Sequence, residues 1–283
     1  IHPPLYFYLL HLCYKTIGVG PKQALFLNVV LELFFLMCFV GLLKSLGLSF
    51  KQIIICTPFV ILLPPTIGAF WVARPYVLFG ALALALTTYF HKVITKKKFG
   101  ALDKFLFGLI VALGLLTHFQ FSLLVFSFFV YIVFLVFSKK ISFSAVLSMW
   151  PSVVVAVFVC EILFPGYFYG FISASIKVEG WQSMISLNGV LSYIQAVIVP
   201  NALSKSLGMA LSAILALALI AILVKGHTKA DNKLGVLLIP SAISFVLFLV
   251  LYLLNKVPSH TVFNGRNFMI YVVPFTVLLI TSI

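Results

Sequence analysis

Residues Gln23–Leu43 read QALFLNVVLELFFLMCFVGLL and are closed by Lys44. Glu32 is their single charged side chain. That is the length of a membrane-crossing helix, because a hydrocarbon core about 30 Å thick takes about 20 residues at about 1.5 Å each. The whole chain agrees: hydrophobic residues make up 63% of it and charged ones 8%, with mean hydropathy +1.23. A soluble domain carries about 25% charge. The chain therefore reads as an all-α polytopic membrane protein, a single transmembrane domain over residues 1–283.

Working outward from this stretch, Gly18-Val19-Gly20-Pro21 breaks the chain on its N-terminal side. Before the break lies Ile1-His2-Pro3-Pro4-Leu5-Tyr6-Phe7-Tyr8-Leu9-Leu10-His11-Leu12, an aromatic, amphipathic segment entered through two prolines that fix an extended start. A chain opening on Ile-His-Pro-Pro, in mid-motif and without an initiator Met or signal sequence, reads as a fragment. On the C-terminal side, apolar runs predict spans over 53–67, interrupted by Pro58 and Pro64-Pro65, and over 77–90. The basic stretch from His91 to Lys104 follows as a loop. Phe105–Phe137 predicts two short helices reversing at His118, and Lys139-Lys140 closes the pair. Further spans are predicted at 143–163, 207–224, 234–254 and from 268 onward, which makes about nine. Between them, 165–205 loses its apolar continuity and reads as an interfacial loop, with Tyr167, Phe168, Tyr169 and Trp181 as an aromatic belt or as the lining of a sugar or prenyl groove.

The positive-inside rule sets the orientation. If residues 1–20 stay on the outer face as a juxtamembrane segment, the lysines at 44 and 51, 92–104, 139–140 and 225–233 all fall on the cytoplasmic side. If that segment crossed, Lys96-Lys97-Lys98 would be external, against the rule. This topology also explains the net charge of +14. The basic residues lie between apolar runs rather than on one face, so nucleic acid is not an expected partner. Cys13, Cys38, Cys56 and Cys160 lack metal-ligand spacing and read as buried packing thiols, and no phosphate loop, zinc motif or nucleophile elbow is present.

Of the nineteen Lys and Arg residues only Arg74 and Arg266 are arginine, and the expected topology puts both on the outer face. Arg presents a planar, permanently charged fork suited to phosphate, whereas Lys serves as an interchangeable point charge. Chance placement with headgroup anchoring is the plainer account of either one alone. Glu32 is an intramembrane carboxylate, a functional candidate by default, or else protonated or paired with a polar group on a neighbouring helix. Asp103 and Asp231 read as surface charges.

Four stretches carry a family resemblance. His2-Pro3-Pro4-Leu5-Tyr6 resembles the His-Pro-Pro-Leu-Tyr segment of GT-C superfamily membrane glycosyltransferases, the dolichyl-phosphate-mannose-protein mannosyltransferase-like and aminoarabinose transferase-like proteins. Ala73-Arg74-Pro75-Tyr76 resembles their Glu-Ala-Arg-x-Tyr element. Gly108–Phe119, with Leu116-Thr117-His118, resembles their glycine-containing helix ending in Leu-Thr-His, and Asn264-Gly265-Arg266-Asn267-Phe268 with Pro274 resembles the entry to a late helix. The matches come in order along most of the chain.

The resemblance implies a GT-C-like helix bundle in the plasma (cytoplasmic) membrane that moves a sugar from a polyprenyl-phosphate donor to a glycan, lipid or protein acceptor on the extracytoplasmic face, in contact with membrane lipids. No cofactor and no metal is implied beyond the lipid-linked sugar itself. The family's general base, usually Asp, lies before the His-Pro-Pro element and is thus expected upstream of Ile1. Charge builds on the leaving phosphate as its bond breaks, and fixed cations and donors stabilise it. His2, Arg74, His118 and Arg266 are the candidates for that phosphate, with Arg74 and Arg266 as clamps and the histidines as donors. Tyr76, Glu161 and Glu179 are candidates for the acceptor cavity. The plainer alternatives are a polar His2 at headgroup level and His118 or Thr117 serving a helix end. The competing classes are a lipid or solute transporter, which broken helices and Glu32 would suit, and a non-catalytic membrane subunit.

Overall fold

Prolines lack an N–H and preset φ, so Pro3 and Pro4 sit where a starting helix has least need of a donor. The computed structural model describes residues 3–62, 73–95, 100–118, 121–139, 141–167 and 169. Within them the chain forms seven α-helices and no strand: α1 (Leu5–Ile17), α2 (Pro21–Ser45), α3 (Phe50–Leu62), α4 (Tyr76–Thr95), α5 (Ala101–Leu115), α6 (Phe121–Phe137) and α7 (Phe143–Leu163). Among the described residues, three stretches are long and apolar enough to cross a membrane: α2, α4 and Val146–Leu163 of α7. The spans expected at 207–224, 234–254 and from 268 onward, and most of the loop expected at 165–205, lie outside the described residues.

Local chemistry sets the boundaries. α1 stops at Gly18, whose φ of 95° suits a residue without Cβ and whose N–H donates to the Tyr14 carbonyl at 3.1 Å. Pro21 then opens α2. α2 closes in a Schellman arrangement, with Gly47 N–H donating to Lys44 O at 3.0 Å and Leu48 N–H to Leu43 O at 3.1 Å. Ser49 and Gln52 form a reciprocal capping box at the start of α3, Ser49 N–H to Gln52 Oε1 at 2.9 Å and Gln52 N–H to Ser49 Oγ at 3.4 Å.

The reversal expected at His118 separates α5 from α6, and α7 has the bounds expected of its span. The loop expected from His91 to Lys104 is shorter than the sequence implies. α4 continues to Thr95 because His91 is buried in it and Lys92 lays its stem along the helix, with Nζ 4.8 Å from the Tyr89 ring centroid. α5 starts at Ala101, where the Asp103 carboxylate accepts the Gly100 N–H at 3.3 Å at the positive end of the helix.

α4 is the central helix. It is 72% buried over its spanning window, against 33% for α2 and 17% for α7. α4 and α2 pack along each other, and Gly80, Ala81 and Ala83 of α4 and Phe35, Phe39, Leu42 and Leu43 of α2 are all buried. Phe90 of α4 stacks on Phe128 of α6 at 4.2 Å between centroids, and Phe129 of α6 meets Trp150 of α7 at 5.2 Å. Phe26, Leu33 and Met37 on α2 and Phe158 and Ile162 on α7 stay exposed, as apolar side chains do on a lipid-facing surface. All four cysteines are free thiols: Cys13, Cys56 and Cys160 are buried, and Cys38 is half-buried.

α1 has 13 residues, too few for a span, and it turns back along α2. Cys13 Sγ–H donates to Gln23 O at 3.3 Å, and the fully buried Tyr6 donates its phenol to Asn28 Oδ1 at 3.1 Å. Burial first, then the neighbouring Tyr14 and Cys13, push the Tyr6 phenol up to about 12. The neutral donor is therefore the folded form. Its contribution is fully present below the ordinary phenol value near 10 and is lost as pH rises from there through about 12. Tyr6→Phe is expected to cost about 0.5–1.5 kcal/mol near neutral pH, by removing the buried hydrogen bond to Asn28. It should also flatten the fall in thermal stability between about pH 10 and 12. Melting curves of both proteins in the same micelles at the two pH extremes test this; equal alkaline losses would refute the assignment.

Candidate functional site

A helix leaves its last four carbonyls without intrahelical donors, and buried carbonyls must find partners. The C-terminal end of α5 meets this demand by gathering three other segments around it. Thr117 Oγ1–H donates to Leu113 O at 2.7 Å, and the N–H groups of Thr117 and His118 both reach Gly114 O at 3.1 Å. Tyr167, just past α7, donates its hydroxyl to Leu115 O at 2.6 Å. The N–H of Leu5, the first residue of α1, donates to Leu116 O at 2.9 Å. Phe121 N–H donates to His118 O at 3.0 Å and starts α6. Cys160 of α7 adds a weak thiol contact to Ala112 O at 3.6 Å.

The start of α4 completes this end of the bundle. His118 is half-buried, with its ring centroid 5.1 Å from Phe79 and 6.1 Å from Tyr76. Phe79 also meets Phe121 edge-on at 6.1 Å. Arg74 stands exposed two residues before Tyr76, held by the buried Pro75. Tyr8 of α1 lies 6.3 Å from Phe164, which adjoins α7. Thus the starts of α1, α4 and α6 and the ends of α5 and α7 share one end of the structure.

Of the expected site residues, Arg74, Tyr76, His118 and Glu161 belong to the described residues, and His2, Glu179 and Arg266 lie outside them. His118 and Tyr76 are brought together, with Arg74 beside Tyr76. The buried Pro3 and Pro4 bring the chain next to His2 to the same end. Glu161 is half-buried in the last turn of α7, where its Oε1 accepts the Gly166 N–H at 2.8 Å and fixes the turn that delivers Tyr167. Tyr167 is not a member of an exposed belt: it is buried, and burial first, then Cys160, raise its phenol, which keeps it a neutral donor. Tyr169 is exposed. Asn28, the acceptor for Tyr6, carries no sequence signal beyond being a polar residue inside a span.

Gly114 has a packing role here. A Cβ on it would collide with the Phe121 ring, so the α5–α6 reversal closes over a residue without a side chain. Gly114→Ala is expected to destabilise by about 1–3 kcal/mol through overpacking. Adding Phe121→Leu should recover part of that loss, since residues in contact couple. Thermal unfolding of the two single variants and the double variant measures the coupling; simple additivity would mean that the ring does not close over Gly114.

The chain finds no match among protein-family models, curated proteins or solved structures. The geometry of this end must therefore carry the functional argument.

Chemically, it offers an exposed guanidinium, an imidazole set among aromatic rings, a phenol and the N-terminal ends of α4 and α6. Cationic side chains and helix N-termini favour an anion. The aromatic rings give the imidazole a fixed, partly dehydrated setting, in which its hydrogen bonds gain strength.

Proposed function

We propose that this chain is a GT-C-type membrane glycosyltransferase that binds the phosphate of a polyprenyl-phosphate sugar donor at the end where α4 starts and α5 stops, on the extracytoplasmic face. One observation supports this above all. The three resembling stretches that fall among the described residues, at Pro3–Tyr6, Ala73–Tyr76 and Gly108–His118, lie far apart in sequence yet converge at one end of the bundle. A chance likeness of apolar helices gives no reason for that convergence.

In this reading Arg74 pairs with the donor phosphate, His118 donates a hydrogen bond to it, and Arg266 and His2 complete the cationic set. Tyr76, Glu161 and Glu179 stand toward the acceptor. The fold in full is a GT-C-like bundle of about nine spans. The prenyl chain lies against the apolar outer faces of the helices, with membrane lipid around it.

A photoreactive polyprenyl phosphate tests the reading. Illuminated with the chain in lipid vesicles, it should crosslink to peptides from 73–79 and 114–121, and unlabelled polyprenyl-phosphate sugar should compete. Labelling spread evenly over all helices, or unaffected by competitor, would sink it. A transporter remains the second reading because Glu32 lies within a span. A transporter would carry the lipid across vesicles without consuming its sugar.

A further inference from the structure

Glu32 lies in α2, eleven residues after Pro21 and thirteen before Ser45. At about 1.5 Å per residue that is about 16 Å from one end and about 20 Å from the other, well inside a helix long enough to cross a membrane. Both of its carboxylate oxygens are shielded from solvent, and among the described residues neither has a hydrogen-bond partner. A carboxylate held ionised there would be dehydrated without compensation, which is costly.

Among the described residues, the neighbouring helices place no counter-charge beside it. α4, which packs along α2, carries no titratable side chain between Tyr76 and Tyr89; His91 and Lys92 follow at its far end. α1 brings Tyr6 one turn from Glu32, but that phenol is committed to Asn28. The other titratable groups of α1 are Tyr8, His11, Cys13, Tyr14 and Lys15, and they lie nearer the hairpin with α2. α3 offers Lys51 and Cys56, and α2 itself Lys22, Cys38 and Lys44, of which the lysines stand near helix ends.

We propose that Glu32 is a membrane-embedded proton-binding site: its carboxyl carries a proton at neutral pH and is the group on this chain that a hydrophobic carbodiimide modifies. The chemistry is specific to a protonated acid in a dry site. The carboxyl proton passes to one carbodiimide nitrogen, and the carboxylate oxygen bonds the central carbon to give an O-acylisourea. The acyl group then migrates to nitrogen, leaving a stable N-acylurea with no atom lost.

The test is to treat the full chain in lipid nanodiscs at pH 7 with dicyclohexylcarbodiimide and to map adducts by peptide mass spectrometry. A water-soluble carbodiimide is run in parallel. The expected result is an adduct on Glu32 from the hydrophobic reagent alone, with loss of that adduct in Glu32→Gln. The infrared difference spectrum between the two proteins should show a protonated-carboxyl C=O band that the variant lacks. Mapping on the unaltered chain needs no variant, so a poorly folding Glu32→Gln does not protect the proposal. An unmodified Glu32, or a difference spectrum showing carboxylate bands at pH 7, overturns it; the latter would mean that a basic partner holds the group ionised.

Discussion

In a complete, active transferase of the proposed kind, replacing Arg74 by alanine is expected to lower sugar transfer from a polyprenyl-phosphate donor by about 10²–10³-fold, the usual loss when one fixed donor to a developing charge is removed. As the sugar leaves, its electrons stay on the phosphate, and a guanidinium already aimed there stabilises that charge more in the transition state than in the bound donor. The loss should therefore fall mainly on kcat. Arg74→Lys keeps the charge but not the planar fork, so it should recover only part of the activity. Stability should hardly change, because Arg74 is exposed and the start of α4 is fixed by Pro75 and by the ring contacts of Tyr76 and Phe79. Transfer rates and melting temperatures of the three proteins, measured in the same vesicles, decide the matter. Alanine at wild-type rate would remove Arg74 from the site.

Much of the local structure was legible because one strong physical signal governed it. The apolar runs of α2 and α7 are long, and their ends carry lysines or glycine, so length and charge alone bound them. The reversal at His118 was legible because the run it interrupts is too long for one helix. The basic stretch after Phe90 misled, since lysines suggest a loop while Lys92 extends its stem along α4.

What periodicity could not show is the network around the end of α5. Leu5 to Leu116 and Tyr167 to Leu115 are contacts of backbone carbonyls, and a carbonyl looks the same in every residue. The sequence could place Pro3-Pro4, Arg74 and His118 at ends of separate segments, but their meeting depends on which carbonyls need donors. Tyr167 illustrates the point: as an aromatic near a helix end it reads as belt, and only its partner makes it a strut.

The proposed shared phosphate makes a second, sharper prediction, on Arg74 and His118 together. His118→Ala alone should cost about 10–10²-fold in transfer, less than Arg74→Ala, because one imidazole N–H offers the phosphate a single hydrogen bond where the guanidinium fork offers two and a permanent charge. If the two groups acted on different steps, their losses would multiply to as much as about 10⁵-fold in the double variant. If both hold one phosphate, removing the first already misplaces the donor, and the double variant should lose no more than about 10³-fold. The His118 ring also packs on Phe79, so alanine there removes a contact as well as a donor. His118→Asn separates the two effects: it keeps a side-chain N–H donor but loses the aromatic ring, and should retain more transfer than alanine at similar thermal stability. A cycle that multiplies cleanly, or an asparagine variant no better than alanine, would assign His118 to packing at the end of α5 and leave Arg74 to hold the phosphate without it.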